Sequence, residues 1–188
     1  MSHSRVHQDG LERCSWLNDD PVYIEYHDKE WGRRATGQRD LFEAIALEGF
    51  QAGLSWLTIL KRRDSFRKAF HNFEISRVAE MTDADVDRLM QDPGIIRNRA
   101  KILATIHNAK LILELGLDLK ETLWAFAPEN PKSPFEKFEW PSVSKESTAL
   151  SKALRQLGFK FVGPTTMYAL MQSTGMVHDH APNCHWRE

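Results

Sequence analysis

The sequence predicts an all-α protein, on two observations. Along most of the 188 residues, apolar side chains recur at intervals of three and four, which is the spacing of one helical face, and very little alternates with a period of two. Helix-ending residues such as Pro93-Gly94 and Gly116 separate these segments. We therefore expect a helical bundle with irregular chain ends, built as one domain over residues 1–188, with residues 1–12 as a disordered extension.

The first predicted helix, residues 40–53, carries an unusual face. Four residues on it are spaced by four, three and four, so they point the same way: Leu41, Ile45, Glu48 and Ala52. A carboxylate on an apolar stripe should point inward, where a charge is costly unless a partner receives it. Glu48 is therefore a candidate site residue, and the alternative is a structural salt bridge to Arg39 or Lys61.

The other predicted helices follow from the same spacing and from their end signals. In chain order they cover residues 55–71, 82–90, 97–115, 119–126, a segment ending at Gly158, and 164–174. Four prolines exclude a helix from residues 127–142, which should form a long surface loop: Pro128, Pro131, Pro134 and Pro141.

Composition narrows the class of protein. The formal net charge is −1, which argues against a uniformly basic nucleic-acid binder, but positive residues dominate three windows, residues 55–71, 93–110 and 147–178. There is no apolar run long enough to span a bilayer, and two cysteines are too few for a disulfide framework. We expect a cytoplasmic protein without membrane contact.

Both cysteines have a histidine at ligand-like spacing. Cys14 precedes His27 by 13 positions, and His180 precedes Cys184 by four. Zinc prefers thiolate and imidazole ligands in a tetrahedral shell, so the four residues would form one structural site that ties the two ends of the chain together. Two free thiols with ordinary histidines are the alternative. Four protein ligands leave no open position for catalytic water, which argues against a zinc hydrolase.

Aromatic residues crowd the first third of the chain. Five of them lie within 41 residues: Trp16, Tyr23, Tyr26, Trp31 and Trp56. Any one ring is ordinarily part of a core. Rings around a buried acid such as Glu48 would instead stack on a planar, cationic group while the acid accepts its hydrogen bonds.

A glycine-bounded apolar segment, residues 157–166, separates the last two predicted helices. Its exposed amides and polar side chains would grip a phosphate backbone without reading sequence, through Gly158, Lys160, Gly163, Thr165 and Thr166. A plain corner between two helices is the alternative.

Long stretches resemble the bacterial 3-methyladenine DNA glycosylases of type I. The resemblance covers nearly the whole chain from Arg13 to Cys184 and is carried by RCSWLNDDPVYIEYHDKEWG, LEGFQAGLSWLTILKRR, GIIRNRAKI, and LGFKFVGPTTMYALMQSTG followed by HDH and Cys184. It implies the helix-hairpin-helix glycosylase fold, one structural zinc on the two-Cys, two-His set, Glu48 as the acid that contacts the base, and a pocket formed by the five aromatic residues. The family lacks the catalytic aspartate of its superfamily relatives, so Asp179 should not be given that role.

The resemblance also implies a reaction and partners. The protein would flip an alkylated adenine out of double-stranded DNA, hydrolyse its bond to the sugar with water, and release free 3-methyladenine, acting as a monomer near the bacterial nucleoid. A zinc-stabilised DNA-binding module without catalysis is the competing interpretation, which would leave the inward Glu48 unexplained.

Overall fold

A computed structural model describes residues 3–131 and 138–187, and this part of the chain is mostly helical, as predicted. Its ten α-helices are α1 Pro21–Lys29, α2 Gln38–Gln51, α3 Trp56–Leu60, α4 Arg63–Ala69, α5 Ile75–Ala79, α6 Asp83–Gln91, α7 Arg99–Glu114, α8 Leu119–Trp124, α9 Lys145–Leu157 and α10 Pro164–Ser173. In the described residues, no helix has both the length and the apolar content to cross a membrane.

The N-terminal segment is structured, which corrects the expectation of a disordered extension. Strands β1, Ser4–Val6, and β2, Glu12–Cys14, pair antiparallel with Ser4 opposite Cys14. Ion pairs help to hold this polar segment, because the buried guanidinium of Arg13 binds both Asp9 and Asp28. The hairpin is also the one exception to the all-α prediction among the described residues.

Helix α1 was not predicted, since the segment has no clear apolar face. Its start nevertheless has local signals, because the Asp20 side chain accepts from the Val22 amide and Pro21 occupies the first turn. The helix predicted over residues 55–71 is in fact α3 and α4, separated where Arg62 leaves helical geometry at φ −106° and ψ 0°.

Two further expectations need correction. Ala52 is exposed and lies beyond the end of α2, because the chain turns there through Gly53 at φ +85°. Of the loop predicted over residues 127–142, positions 132–137, including Pro134, lie outside the described residues, and the parts on either side contain no helix.

The core forms around α2, which packs against α3, α7, α8 and α10. Four buried phenylalanines, the first of them on α2, pack against one another with ring centroids 4.7–6.4 Å apart between contacting rings: Phe50, Phe66, Phe70 and Phe73. Helix α9 packs on α10, and the turn between them carries Gly158 at φ +105°. The core therefore fixes α2 and α10 side by side, and both helices contribute to the site described below.

A lysine closes the C-terminal end of α2. Lys101 of α7 is buried and donates from Nζ to the carbonyls of Phe50 and Ala52 at 2.8 and 2.7 Å. The last carbonyls of a helix lack partners within it, so this contact satisfies groups that would otherwise be buried unpaired. Burial lowers the pKa of Lys101.

We predict that Lys101→Met lowers the free energy of unfolding by about 1–3 kcal/mol, because two carbonyls at the end of α2 lose their donor. Lys110→Met is the matched control, since Lys110 is exposed on the same helix and should tolerate the change. Urea unfolding of the three proteins measures the difference. Equal stability of the two variants would contradict this role for Lys101.

Candidate base-binding cavity and metal site

A cavity of about 310 Å³ opens beside α2, and the residues around it come from both ends of the chain. All five predicted aromatic residues and Glu48 line it, together with Gln51, Trp140, Pro141, Ala169 and Gln172. The structure thus brings together every residue that the sequence singled out for a base pocket. Apolar rings with few polar groups are the usual composition of a small-molecule site.

Among the described residues, Glu48 is the one carboxylate on the wall of this cavity. Its side chain lies on α2 and is 3% exposed. The alternative of a salt bridge does not apply among the described residues, because Arg39 pairs with Asp40 and Glu43 while Lys61 pairs with Asp20. Burial raises the pKa of Glu48 from its ordinary 4.5 to about 8, and a hydrogen bond with Ser173 only partly offsets this.

Glu43 on the same helix shows the opposite arrangement. It is also buried, but its carboxylate contacts the guanidinium groups of Arg39 and Arg67. A buried charge is tolerated when it is paired, so Glu43 has the environment of a structural acid. Glu48, five residues later, has the environment of an acid that lacks its cation.

The aromatic residues form two connected groups around Glu48. Trp16 contacts Tyr23 and Trp31, with ring centroids 5.1 and 5.0 Å apart, and Tyr26 lies 5.5 Å from Trp56. Burial raises the pKa of Tyr23 to about 12, and burial together with the charge of Glu48 raises the pKa of Tyr26 well above its usual value. Both tyrosines are therefore neutral. The indole Nε1 of Trp56 is buried and has no hydrogen-bond partner within the described chain.

A second cavity, about 300 Å³, lies behind the same wall. Tyr26, Glu48 and Trp56 line both cavities. The second one is charged, since its lining includes the pairs Arg63–Glu30 and Arg67–Glu43. Its positive and negative side chains largely cancel, so this surface does not favour an anion.

Both cysteines and their partner histidines meet at one point, as the spacing predicted. The ligand atoms of Cys14, His27, His180 and Cys184 all lie within 4.8 Å of one another. Cys184 Sγ is 3.5 Å from His27 Nε2 and 3.4 Å from His180 Nδ1, and Cys14 Sγ is 3.8 Å from His180 Nδ1. Ligands around a tetrahedral zinc are about 3.5 Å apart, so the cluster has the size of a metal site.

The surroundings of the cluster also suit a metal. The second ring nitrogen of His27 lies 2.8 Å from Asp28, whose carboxylate is held by Arg13. Such a carboxylate fixes which nitrogen of a histidine faces a metal. Hydrogen bonds with Cys14, His180 and His27 lower the pKa of Cys184, and the Ala181 amide donates to Cys14 Sγ.

The cluster and the cavity share a wall. Trp31 lies 4.7 Å from the His180 ring and Trp16 lies 5.5 Å from the His27 ring, measured between centroids. The two histidines of the cluster therefore support two of the rings that line the cavity.

The segment 157–166 between α9 and α10, here called the helical hairpin, contains the five residues predicted to grip a phosphate backbone. These residues lie away from the cavity, since none of them lines it. Side chains from the neighbouring helices fix the segment: Asn108 exchanges two hydrogen bonds with the Lys160 backbone, and Ser151 donates to the Val162 carbonyl at 2.6 Å. Phe161 lies next to Gly49, which adjoins Glu48. The helical hairpin is thus rigid and close to α2 without being part of the base pocket.

The basic windows are less free than their sequence suggests. Of the cations in residues 55–71, Lys61, Arg63 and Arg67 form ion pairs with acids from other segments, and Arg99 of the second window pairs with Asp87. Distant acids neutralise these cations, which local charge counting cannot reveal.

Five cavity residues were not predicted as site residues: Gln51, Trp140, Pro141, Ala169 and Gln172. Trp140 donates from Nε1 to the Asp179 backbone carbonyl at 2.9 Å, and Gln172 donates to the Asp179 carboxylate at 3.0 Å. The only sequence signal for Gln172 was its place one turn after Ala169 on α10.

Comparison with known proteins places the chain in a family. The family model for methyladenine glycosylase matches residues 16–188. DNA-3-methyladenine glycosylase 1 of Escherichia coli K12 is 48% identical over 179 residues, which are 93% of this chain and 96% of that protein. The chain belongs to the methyladenine glycosylase family.

Solved structures agree with this family assignment. A crystal structure of 3-methyladenine DNA glycosylase I superposes with a TM-score of 0.89 at 45% identity and covers 94% of this chain and 100% of that one. The Staphylococcus aureus 3-methyladenine DNA glycosylase I gives 0.85 at 37% identity, with 94% and 96% covered. The helical fold of this methyladenine glycosylase family member is therefore confirmed.

We predict that Glu48 makes stability depend on pH. Between pH 4.5 and about 8 the acid is protonated in the folded protein and ionised in the unfolded chain, so the free energy of unfolding falls as the pH rises. Glu48→Gln removes this contribution. The melting temperature of the variant minus that of the unsubstituted protein should therefore increase from pH 5 to pH 8.

Glu43→Gln is the control for that series. It has the same formal change on the same helix, but it breaks contacts with two arginines and should lower the melting temperature. A constant temperature difference between Glu48→Gln and the unsubstituted protein across this pH range would contradict the buried, unpaired state of Glu48.

Proposed function

We propose that this protein is a DNA glycosylase that removes 3-methyladenine from alkylated double-stranded DNA and leaves an abasic site. The observation that supports this most is the buried, unpaired Glu48 in an aromatic cavity of a methyladenine glycosylase family chain. The related S. aureus protein is described by its recognition of 3-methyladenine, and the E. coli relative is named for the same base.

The chemistry of the cavity suits a cationic purine. Methylation at N3 gives the adenine of a nucleotide a positive charge, which stacks favourably on Trp and Tyr rings. We assign Glu48 as the catalytic residue that contacts the base. The bound base then gives this acid both a positive charge nearby and an amino group that donates hydrogen bonds to it. Because its pKa is about 8 in the free protein, entry of the cation favours loss of the Glu48 proton at neutral pH. A neutral adenine offers less of this stabilisation, so normal DNA is spared.

The reaction needs little acid catalysis. The bond between the base nitrogen and the sugar carbon breaks with its electron pair going to the base, which neutralises the positive charge. Water adds to the sugar carbon and loses a proton. The protein contributes a flipped-out, stacked base and a rigid site. Within residues 3–131 and 138–187, no lysine lines the base cavity, which favours hydrolysis by water over attack by an amine.

The helical hairpin is proposed to hold the DNA backbone. Gly163 immediately precedes α10, and the first amides of that helix have no acceptors within the helix. The exposed residues Lys160 and Thr165 lie on either side of Gly163. Gly158 and Thr166 complete the set of proposed backbone contacts. Its fixation by Asn108 and Ser151 supplies a rigid clamp. Contacts with phosphates position a duplex without reading its sequence.

One structural zinc is proposed at Cys14, His27, His180 and Cys184. A bound zinc would cross-link the first and last parts of a single glycosylase domain that includes all 188 residues. Its four ligands leave the metal no open coordination position, so its contribution is to stability and to the placement of Trp16 and Trp31. The protein is proposed to act as a monomer in the bacterial cytoplasm, near the nucleoid.

The function is tested by incubating the protein with methylated duplex DNA and identifying released bases by chromatography. We expect free 3-methyladenine and abasic sites without strand cleavage. A protein that binds this DNA and releases no base would be the non-catalytic module instead.

Glu48→Gln should lower the affinity for free 3-methyladenine by about tenfold to a hundredfold, because a charge-assisted hydrogen bond is lost while the shape is kept. The excision rate should fall less, since the alkylated base leaves readily. Glu25→Gln, an exposed change on α1, is the control and should leave the affinity for free 3-methyladenine, measured by titration calorimetry, unchanged. Equal affinity of the two variants would refute the role of Glu48.

Cys184→Ser should lower zinc content and melting temperature together, because the site loses a thiolate. His185→Ala removes an exposed neighbouring imidazole and should retain one zinc per chain. Metal analysis and thermal unfolding measure both. Full zinc content in both Cys14→Ser and Cys184→Ser would contradict the assignment.

A further inference from the structure

A hydrogen-bonded group of three residues stands behind one side of the cavity. Asp179 is 2% exposed, and its Oδ2 accepts from the Tyr168 hydroxyl at 2.5 Å and from Gln172 Nε2 at 3.0 Å. Burial and this contact raise the pKa of Tyr168, so the hydroxyl remains a donor. Of the three side chains, only that of Gln172 reaches the cavity.

The carboxylate determines which end of the Gln172 amide faces Asp179. A carboxylate only accepts hydrogen bonds, so the NH₂ group must face it, and turning Oε1 toward it would oppose two acceptors. Within residues 3–131 and 138–187, Gln172 Oε1 accepts no hydrogen bond. The amide oxygen is therefore the polar atom that Gln172 has left for a ligand.

Gln172 and Glu48 lie on neighbouring helices that pack side by side. Ser173, the next residue along α10, hydrogen-bonds with the Glu48 side chain. Both Gln172 and Glu48 line the base cavity. The cavity is therefore lined by two polar side chains from neighbouring helices, the carboxyl group of Glu48 and the oriented amide oxygen of Gln172.

We infer that Gln172 is a specificity-determining residue whose Oε1, oriented by Asp179, accepts a hydrogen bond from the 6-amino group of the bound base. This inference rests on the proposed function. An amino group has two hydrogens and can serve both Glu48 and Gln172. A purine with oxygen at position 6 would place an acceptor against Gln172 Oε1, which cannot turn its NH₂ group toward the base without leaving Asp179, and this is a means of rejecting it. Asp179 is a positioning residue in this arrangement, and it acts through Gln172.

The test compares two free bases that differ only at position 6, namely 3-methyladenine and 3-methylhypoxanthine, by titration calorimetry. The unsubstituted protein should prefer the amino base. Gln172→Met keeps the length and removes the acceptor, so affinity for 3-methyladenine should fall about three- to tenfold, as expected for one neutral hydrogen bond. Affinity for the oxo base should stay the same or rise.

Two further variants guard the interpretation. Gln172→Ala removes the same acceptor with a different shape and should lose the same preference, which covers a failure of Gln172→Met to fold. Gln156→Met makes the same chemical change on the exposed face of α9 and should behave as the unsubstituted protein.

Each result decides the inference. Equal loss of affinity for both bases would assign Gln172 a role in cavity shape, and unchanged affinity for 3-methyladenine would remove it from base recognition. Equal binding of the two bases by the unsubstituted protein would also overturn the inference. Any of these three binding results leaves the glycosylase proposal intact if the unsubstituted protein still releases 3-methyladenine from DNA. Absence of such release would overturn both.

Discussion

The cavity wall depends on one contact between the two ends of the chain, a cluster of two cysteines and two histidines. Cys14 and His27 come from the start of the chain, and His180 and Cys184 from its end, yet their ligand atoms lie within 4.8 Å of one another. Trp16 and Trp31 pack on the histidines of this cluster and form a wall of the base cavity. Arg13, which holds Asp28 against His27, extends the same support to the N-terminal hairpin. The cluster, which lies directly behind this wall, thus helps to set the position of the rings.

Two acids on one helix show how environment separates structure from recognition. Glu43 is buried with two arginines, and Glu48 is buried with none. The proposed function explains the cost of Glu48, since a cationic base would supply the charge that this acid lacks. Charged pairs around Glu43 and Glu30 also line the second cavity, so Glu48 lies between an aromatic surface and a charged one.

Sequence patterns predicted the parts of this structure that depend on local spacing. The stripe through Leu41, Ile45 and Glu48 indicated both helix α2 and an inward acid, and the Cys and His spacings indicated the cluster. The break between α3 and α4 escaped prediction because the apolar pattern continues across it. The partners of Arg63 and Arg67 lie 33 and 24 residues away, so their pairing depends on tertiary structure. Gln172 was missed for a related reason, since Asp179 orients it from a different segment.

The separation of the metal-site residues along the chain also bears on how the protein is made. Cys184 meets His27 across 157 positions, and His180 meets Cys14 across 166. Contacts this distant in sequence form late in folding, and a growing chain cannot form them until its last residues have left the ribosome. Most of the helical core precedes those residues. Synthesis therefore gives a nascent chain with helices but an unfinished aromatic wall, and the cluster can support that wall only after the residues up to Cys184 have left the ribosome.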